Sequence, residues 1–100
     1  MAYVRVNWLD GADTSLVTDP EEVTGSAKYG LQVATSGNFT GLSINMQGSI
    51  DGTNWASLTT VTAPGASLVW VVDKPVQYLR IAATITGDGT QTVDASVVAV

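Results

Sequence analysis

The chain has 100 residues, nine of them acidic and four basic, with no histidine and no cysteine. Without cysteine there are no disulfides, no thiolate ligands for zinc or iron–sulfur clusters and no thiol redox chemistry. Without histidine the commonest general base at neutral pH and the commonest transition-metal ligand are missing. The basic residues, Arg5, Lys28, Lys74 and Arg80, are scattered, so no patch can track a phosphate backbone and nucleic-acid binding is excluded. No apolar run approaches the roughly 18 residues of a membrane span, and no basic segment leads into an apolar stretch as in a secretory leader. Charged residues are 13% of the chain, against about 25% in a typical soluble domain. Such a surface is either Ser/Thr-rich β surface or covered by a partner. The expectation is a single soluble domain over residues 1–100, made in a reducing cytosol and modest in stability unless it oligomerises or docks.

Residues 2–9 (AYVRVNWL) alternate, with Tyr3, Arg5 and Asn7 on one side and Val4, Val6 and Trp8 on the other. DGAD (10–13) turns, and TSLVT (14–18) predicts a short second strand. DPEEVTGSA (19–27) begins as a helix N-terminus does, with Asp19, Pro20 and two glutamates, but Gly25 stops it at once. It predicts a polar loop of at most one helical turn, and the crossing between two sheets. KYGLQVAT (28–35) predicts a strand with Tyr29, Leu31 and Val33 on one face and Gly30 on the other. After the SGN turn, residues 39–50 place Leu42, Ile44, Met46 and Ile50 on one parity and Ser43, Asn45, Gln47 and Ser49 on the other, the pattern of an antiparallel sheet with one wet face.

Asp51-Gly52 then reads as a hairpin turn, since glycine tolerates positive φ, and Trp55 opens the next strand. Pro64-Gly65 centres another turn. LVWVVD (68–73) is apolar on both parities, which predicts burial on both faces or cover by a partner. Residues 76–86 place Leu79, Ile81, Ala83 and Ile85 inward, with Gln77, Tyr78, Arg80 and Thr84 outward; GDGT turns, and QTVDASVVAV (91–100) closes the chain in a strand. Seven to eight strands with short turns and no crossover helix predict an all-β antiparallel sandwich, jelly-roll-like or immunoglobulin-like.

Most of the acidic side chains sit in turns, where aspartate is favoured for its bonds to nearby backbone N–H groups. A glycosidase pair needs a deep cleft that so small a domain rarely forms. Serine and threonine have no histidine to activate them, and no G-x-S-x-G or S-x-x-K pattern exists. DGAD and DGTN offer oxygen ligands but match no EF-hand loop. The expectation is therefore no enzyme, no cofactor and no metal. Trp8, Trp55 and Trp70 could serve either packing or stacking against sugars. Apolar groups on both faces of the last strand (Val97, Val98, Ala99, Val100) suit a mid-sheet position or burial against another subunit, because an exposed edge of that kind aggregates. The first strand has the same character. Both termini read as integrated in sheets, as in a free-standing protein. Tyr3, Trp8, Trp70, Val98 and Val100 are the candidate partner interface, and Asp51, Gly52 and Trp55 the structural turn and its anchor.

GSIDGTNWASL (48–58) followed by PVQYLRIAAT (75–84) resembles discoidin-like domains, which carry a Ser-x-Asp-Gly-x-x-Trp turn and a later Tyr-x-Arg strand: Ser49, Asp51, Gly52 and Trp55, then Tyr78 and Arg80. The same pair is similar to that of compact β-sandwich proteins from the structural gene clusters of tailed bacteriophages. The low charge, the absent leader and the absent cysteine fit the second group better. That resemblance implies a capsid decoration or cement protein on the virion surface, synthesised in the host cytoplasm. Such a protein binds the major capsid protein, bridges neighbouring subunits and is itself a dimer or trimer, with many weak contacts multiplied by copy number. It also implies Trp55 as a sandwich anchor, so that Trp55→Ala unfolds the domain at roughly 3–5 kcal/mol. The alternative is a carbohydrate-binding or adhesive module on a fibre or tail.

Overall fold

The computed structural model describes residues 4–100. These residues form nine strands and no helix: β1 (Val4–Ala12), β2 (Leu16–Val17), β3 (Glu21–Glu22), β4 (Tyr29–Ser36), β5 (Phe39–Ser49), β6 (Ala56–Val61), β7 (Ala66–Val71), β8 (Tyr78–Gly87) and β9 (Thr92–Ala99). Sheet A runs β1-β9-β4-β7, sheet B runs β2-β8-β5-β6, and β3 also pairs with β8. Every pairing is antiparallel.

β2 and β3 lie end to end against β8, pairing at Ala82–Ala83 and at Tyr78–Leu79. Between them Pro20 has no N–H to give the ladder, so the strand is interrupted there, as suits a sheet edge. Counted as one strand, they leave eight, ordered 1-8-3-6 in one sheet and 2-7-4-5 in the other. That order is two interleaved Greek keys, a jelly roll. The immunoglobulin-like alternative is thereby set aside. The segment 19–27, expected as a loop with a helical turn, instead contributes β3 and then crosses to sheet A. It is one crossing among several, because consecutive strands mostly belong to opposite sheets; β5–β6 is the one hairpin between hydrogen-bonded neighbours among the described strands.

The core fills the space between the sheets. Leu31, Val33, Val93, Ala95 and Val97 from sheet A meet Ile44, Met46, Leu79, Ile81 and Ile85 from sheet B, all buried. Two expectations of parity fail at identifiable places. In β1, Asn7 pairs with Ser96 and Leu9 with Ala95, leaving Trp8 as an extra residue. This bulge flips the alternation, so Leu9 is buried and Trp8 also packs against the core. In β5 the ladder stops at Ser49, and Ile50, expected inside, is 73% exposed. β9 lies mid-sheet, between β1 and β4, while β1 is an edge.

Both ends of the sandwich are tied by buried polar side chains. At one end the Gln91 amide donates to the Asp13 carbonyl (3.0 Å) and its oxygen accepts from Gly89 N–H (2.8 Å). There the chain needs glycine at position 37, where φ is +90° and a Cβ would collide with the Thr90 carbonyl oxygen. At the other end the buried Tyr29 hydroxyl donates to the Ser26 carbonyl (3.0 Å) and accepts from Val76 N–H (3.1 Å), joining two sheet crossings.

Candidate interaction surface

β7 forms a free edge of sheet A. Its Val69 and Val71 pack toward the core. Leu68, Trp70 and, just past the strand, Val72 point the other way and are 65%, 53% and 51% exposed. The doubly apolar LVWVV segment is thus covered on one side only. Trp70 pairs across the ladder with Gly30, which in turn pairs with Val98. A Cβ on Gly30 would stand 3.0 Å from the Trp70 indole, so the glycine lets the ring lie flat on the sheet. Val98 and Val100 are half-buried on the same side, and Val100 continues the β9 ladder through bonds with Lys28. The outer face of sheet A therefore gathers Leu68, Trp70, Val72 and Val98. Trp8 does not join them: it keeps the parity of Val6 and packs against the core. Tyr3 lies outside the described residues.

The outer face of sheet B is built differently. The Asp51 carboxylate accepts from the N–H groups of Asn54 and Thr53 (both 2.8 Å), from the Asn54 amide (2.8 Å) and from the Ser49 hydroxyl (3.0 Å). Those bonds hold its carboxyl well below the ordinary carboxylate range, the two backbone donors first. Gly52 adopts φ +78° with the Tyr78 ring alongside, and its N–H donates to Ser49 Oγ (2.8 Å). Trp55 is half-buried and is no part of the core. Its ring lies under the Arg80 guanidinium, 4.2 Å from centroid to Cζ, and Arg80 Nε donates to Gln47 Oε1 (2.7 Å). Trp55, expected as a sandwich anchor under the Asp51-Gly52 turn, lies outside the core and caps the hairpin by a cation–π contact with Arg80. The two short sequence segments, Ser49-x-Asp51-Gly52-x-x-Trp55 and Tyr78-x-Arg80, meet here as one unit. The sequence placed Arg80 outward and in the same two-part pattern as Trp55; the contact between the two side chains is what it left out.

Beside this loop lies a surface hollow of about 290 Å³ lined by Gly48, Ser49, Ile50, Asp51, Asn54, Ala56 and Val76. Its one carboxylate is engaged four times over and held ionised, so it is poorly suited to deliver a proton. At the opposite end Asp88 is likewise held down, to about 2, by Thr90 and Asn38. Among the described residues no three acidic side chains come together as metal ligands do. The three tryptophans occupy three separate places and form no joint platform.

No family model matches the chain, and no curated protein matches it in sequence. Its fold is similar to that of the SPBc2 prophage-derived protein YomS (TM-score 0.71, 11% identity, covering 98% of this chain and 92% of that one). It is also similar to the K2 cleaved adhesin domain of Lys-gingipain (0.64, 16%, 98% and 71%). A third likeness is to a Bacillus endospore appendage protein of disulfide-linked pili (0.55, 10%, 98% and 83%). At these identities the likeness is one of fold.

Proposed function

We propose that this chain is a non-enzymatic virion structural protein, a capsid decoration or cement protein that binds the outer capsid surface and bridges neighbouring major capsid subunits. The observation that carries the reading is the uncovered apolar strip of Leu68, Trp70 and Val72 on the outer face of sheet A, continued by Val98. Three large apolar side chains on one flat face, with no aliphatic or aromatic cover of their own, suit a broad protein interface. The near full-length likeness in fold to a prophage-derived protein is compatible with that role. Sedimentation of lysate from the native source, with fractions probed for the chain, tests it. The expected result is comigration with virion-sized particles, reduced when Trp70 is replaced by Lys. A chain that stays at the top of the gradient as free protein removes the proposal.

One feature favours the adhesive reading: the half-exposed Trp70 indole lying flat over Gly30, a shape on which a sugar ring can stack. Titration of the chain with glycans, followed by Trp fluorescence, decides between the two.

A further inference from the structure

Asp-Gly pairs stand at Asp10, Asp51 and Asp88. An aspartate followed by glycine is open to an intramolecular reaction, because glycine has no side chain to shield its backbone nitrogen. That nitrogen attacks the protonated side-chain carboxyl carbon. A bond from N to Cγ forms, the amide proton and the carboxyl hydroxyl leave together as water, and a cyclic succinimide results. Water then opens the ring at either carbonyl. Opening at Cγ restores aspartate; opening at the former peptide carbonyl leaves isoaspartate, with the main chain running through the side-chain carbon. The reaction is held back where the glycine N–H is already donated to an acceptor and where the carboxyl is kept ionised.

Asp51 and Asp88 have both protections. Gly52 N–H donates to Ser49 Oγ and Gly89 N–H to Gln91 Oε1, each at 2.8 Å, and both acceptors are buried. The Asp51 carboxylate accepts from Thr53, Asn54 and Ser49, and that of Asp88 from Thr90 and Asn38, bonds that favour the ionised form. Asp10 differs on each count. It lies in a bulge of β1, where Asp10 and Gly11 together stand opposite Asp94. Gly11 N–H donates to Asp94 Oδ1 (2.7 Å), but that acceptor sits on an exposed side chain. The Asp10 side chain is exposed too, and its carboxylate accepts no hydrogen bond among the described residues. We infer that Asp10-Gly11 is a covalent modification site, converting to isoaspartate through the succinimide, and that the Asp94 carboxylate restrains it. Asp94 acts twice over: it occupies the N–H, and its negative charge opposes loss of that proton. Conversion adds a main-chain carbon between the pairs Leu9↔Ala95 and Ala12↔Val93, so it slackens the end of an edge strand. The inference does not depend on the virion reading.

Incubation of the purified chain in warm neutral buffer, with digestion by endoproteinase Asp-N at intervals, is the test. The protease cuts before aspartate and not before isoaspartate, so mass mapping of the uncut junctions reads each site separately. In the folded chain the cut before Asp10 should be lost first, while those before Asp51 and Asp88 persist. In the urea-unfolded chain all three should be lost at similar rates. Asp94→Ala should speed the loss at Asp10 about tenfold or more and leave Asp51 and Asp88 unchanged. Asp94→Asn, which keeps an oxygen acceptor without the charge, should fall between. Thermal melting checks that the variants fold; if Asp94→Ala does not, the order of the three sites in the unaltered chain still decides. Loss first at Asp51 or Asp88, equal loss at all three in the folded chain, no loss at Asp10 once the unfolded chain has converted, or an unchanged rate in folded Asp94→Ala would each overturn the inference.

Discussion

The two outer faces of this sandwich share one core but are finished for different surroundings. On sheet B the large and polar side chains around β5, β6 and β8 are answered within the chain. Arg80 covers Trp55 and is held by Gln47, and the Asn45 amide donates to Ser57 Oγ, Thr60 Oγ1 and the Thr59 carbonyl. On sheet A, Trp70 rests on a glycine and offers its other side, with Leu68 and Val72 beside it, to whatever lies outside. The difference teaches that a tryptophan's residue type says little about its role. The neighbour across the strand, arginine in one case and glycine in the other, decides whether the ring is covered or presented.

If the faces differ only outside, their inner sides should respond alike. Leu31→Ala in sheet A and Ile81→Ala in sheet B, both fully buried, should each lose about 2–5 kcal/mol in denaturant unfolding. A large asymmetry would place the core nearer one sheet. Tyr29→Phe should come next, at about 1–3 kcal/mol, because the Ser26 carbonyl and the Val76 N–H both lose their buried partner. The tryptophans divide the faces most directly. Trp55→Ala should reduce stability by only about 0.5–2 kcal/mol, the range of a cation–π contact, and leave the domain folded. Trp70→Ala should change thermal stability little and act on binding instead.

The smallest effect concerns the turns. Both turn carboxylates have folded pKa values below the ordinary 3.8, Asp88 at about 2 and Asp51 lower. A depressed pKa contributes stability that is complete above the unfolded value and is lost as pH falls through the folded one. The melting temperature should therefore be insensitive to these turns above about pH 4 and fall between pH 4 and 2. Asp88→Asn and Asp51→Asn should each flatten that fall, the effect of Asp51→Asn extending to lower pH. An unchanged acid slope in both variants would mean that the turns do not couple to folding.

Much of the fold was legible along the chain. Strand positions and inward residues such as Leu31, Ile44, Leu79 and Ile81 follow from period-two alternation and from where glycine, proline and aspartate interrupt it; apolar groups on both faces suited β9 to mid-sheet, but the same character in β1 did not keep it from an edge. The misses cluster where alternation is broken by geometry that leaves no compositional mark. A bulge at Trp8 admitted Leu9 to the core, and the early end of β5 released Ile50. The LVWVV run was legible as buried on both faces or covered by a partner; which of its two sides the chain itself leaves uncovered was not.

The sequence by itself determined an antiparallel all-β chain with a hydrophobic interior and turns built on Asp-Gly and Pro-Gly, because side-chain periodicity and backbone preference are local properties. Only the tertiary structure decided that most of those turns change sheets, that β2 and β3 are one strand interrupted at a proline, and that the result is a jelly roll. Only it put Arg80 over Trp55 and Gly30 under Trp70. Those pairings join residues far apart in the chain. They depend on strand order and register, which arise from packing the two sheets together and are written in no single stretch of residues.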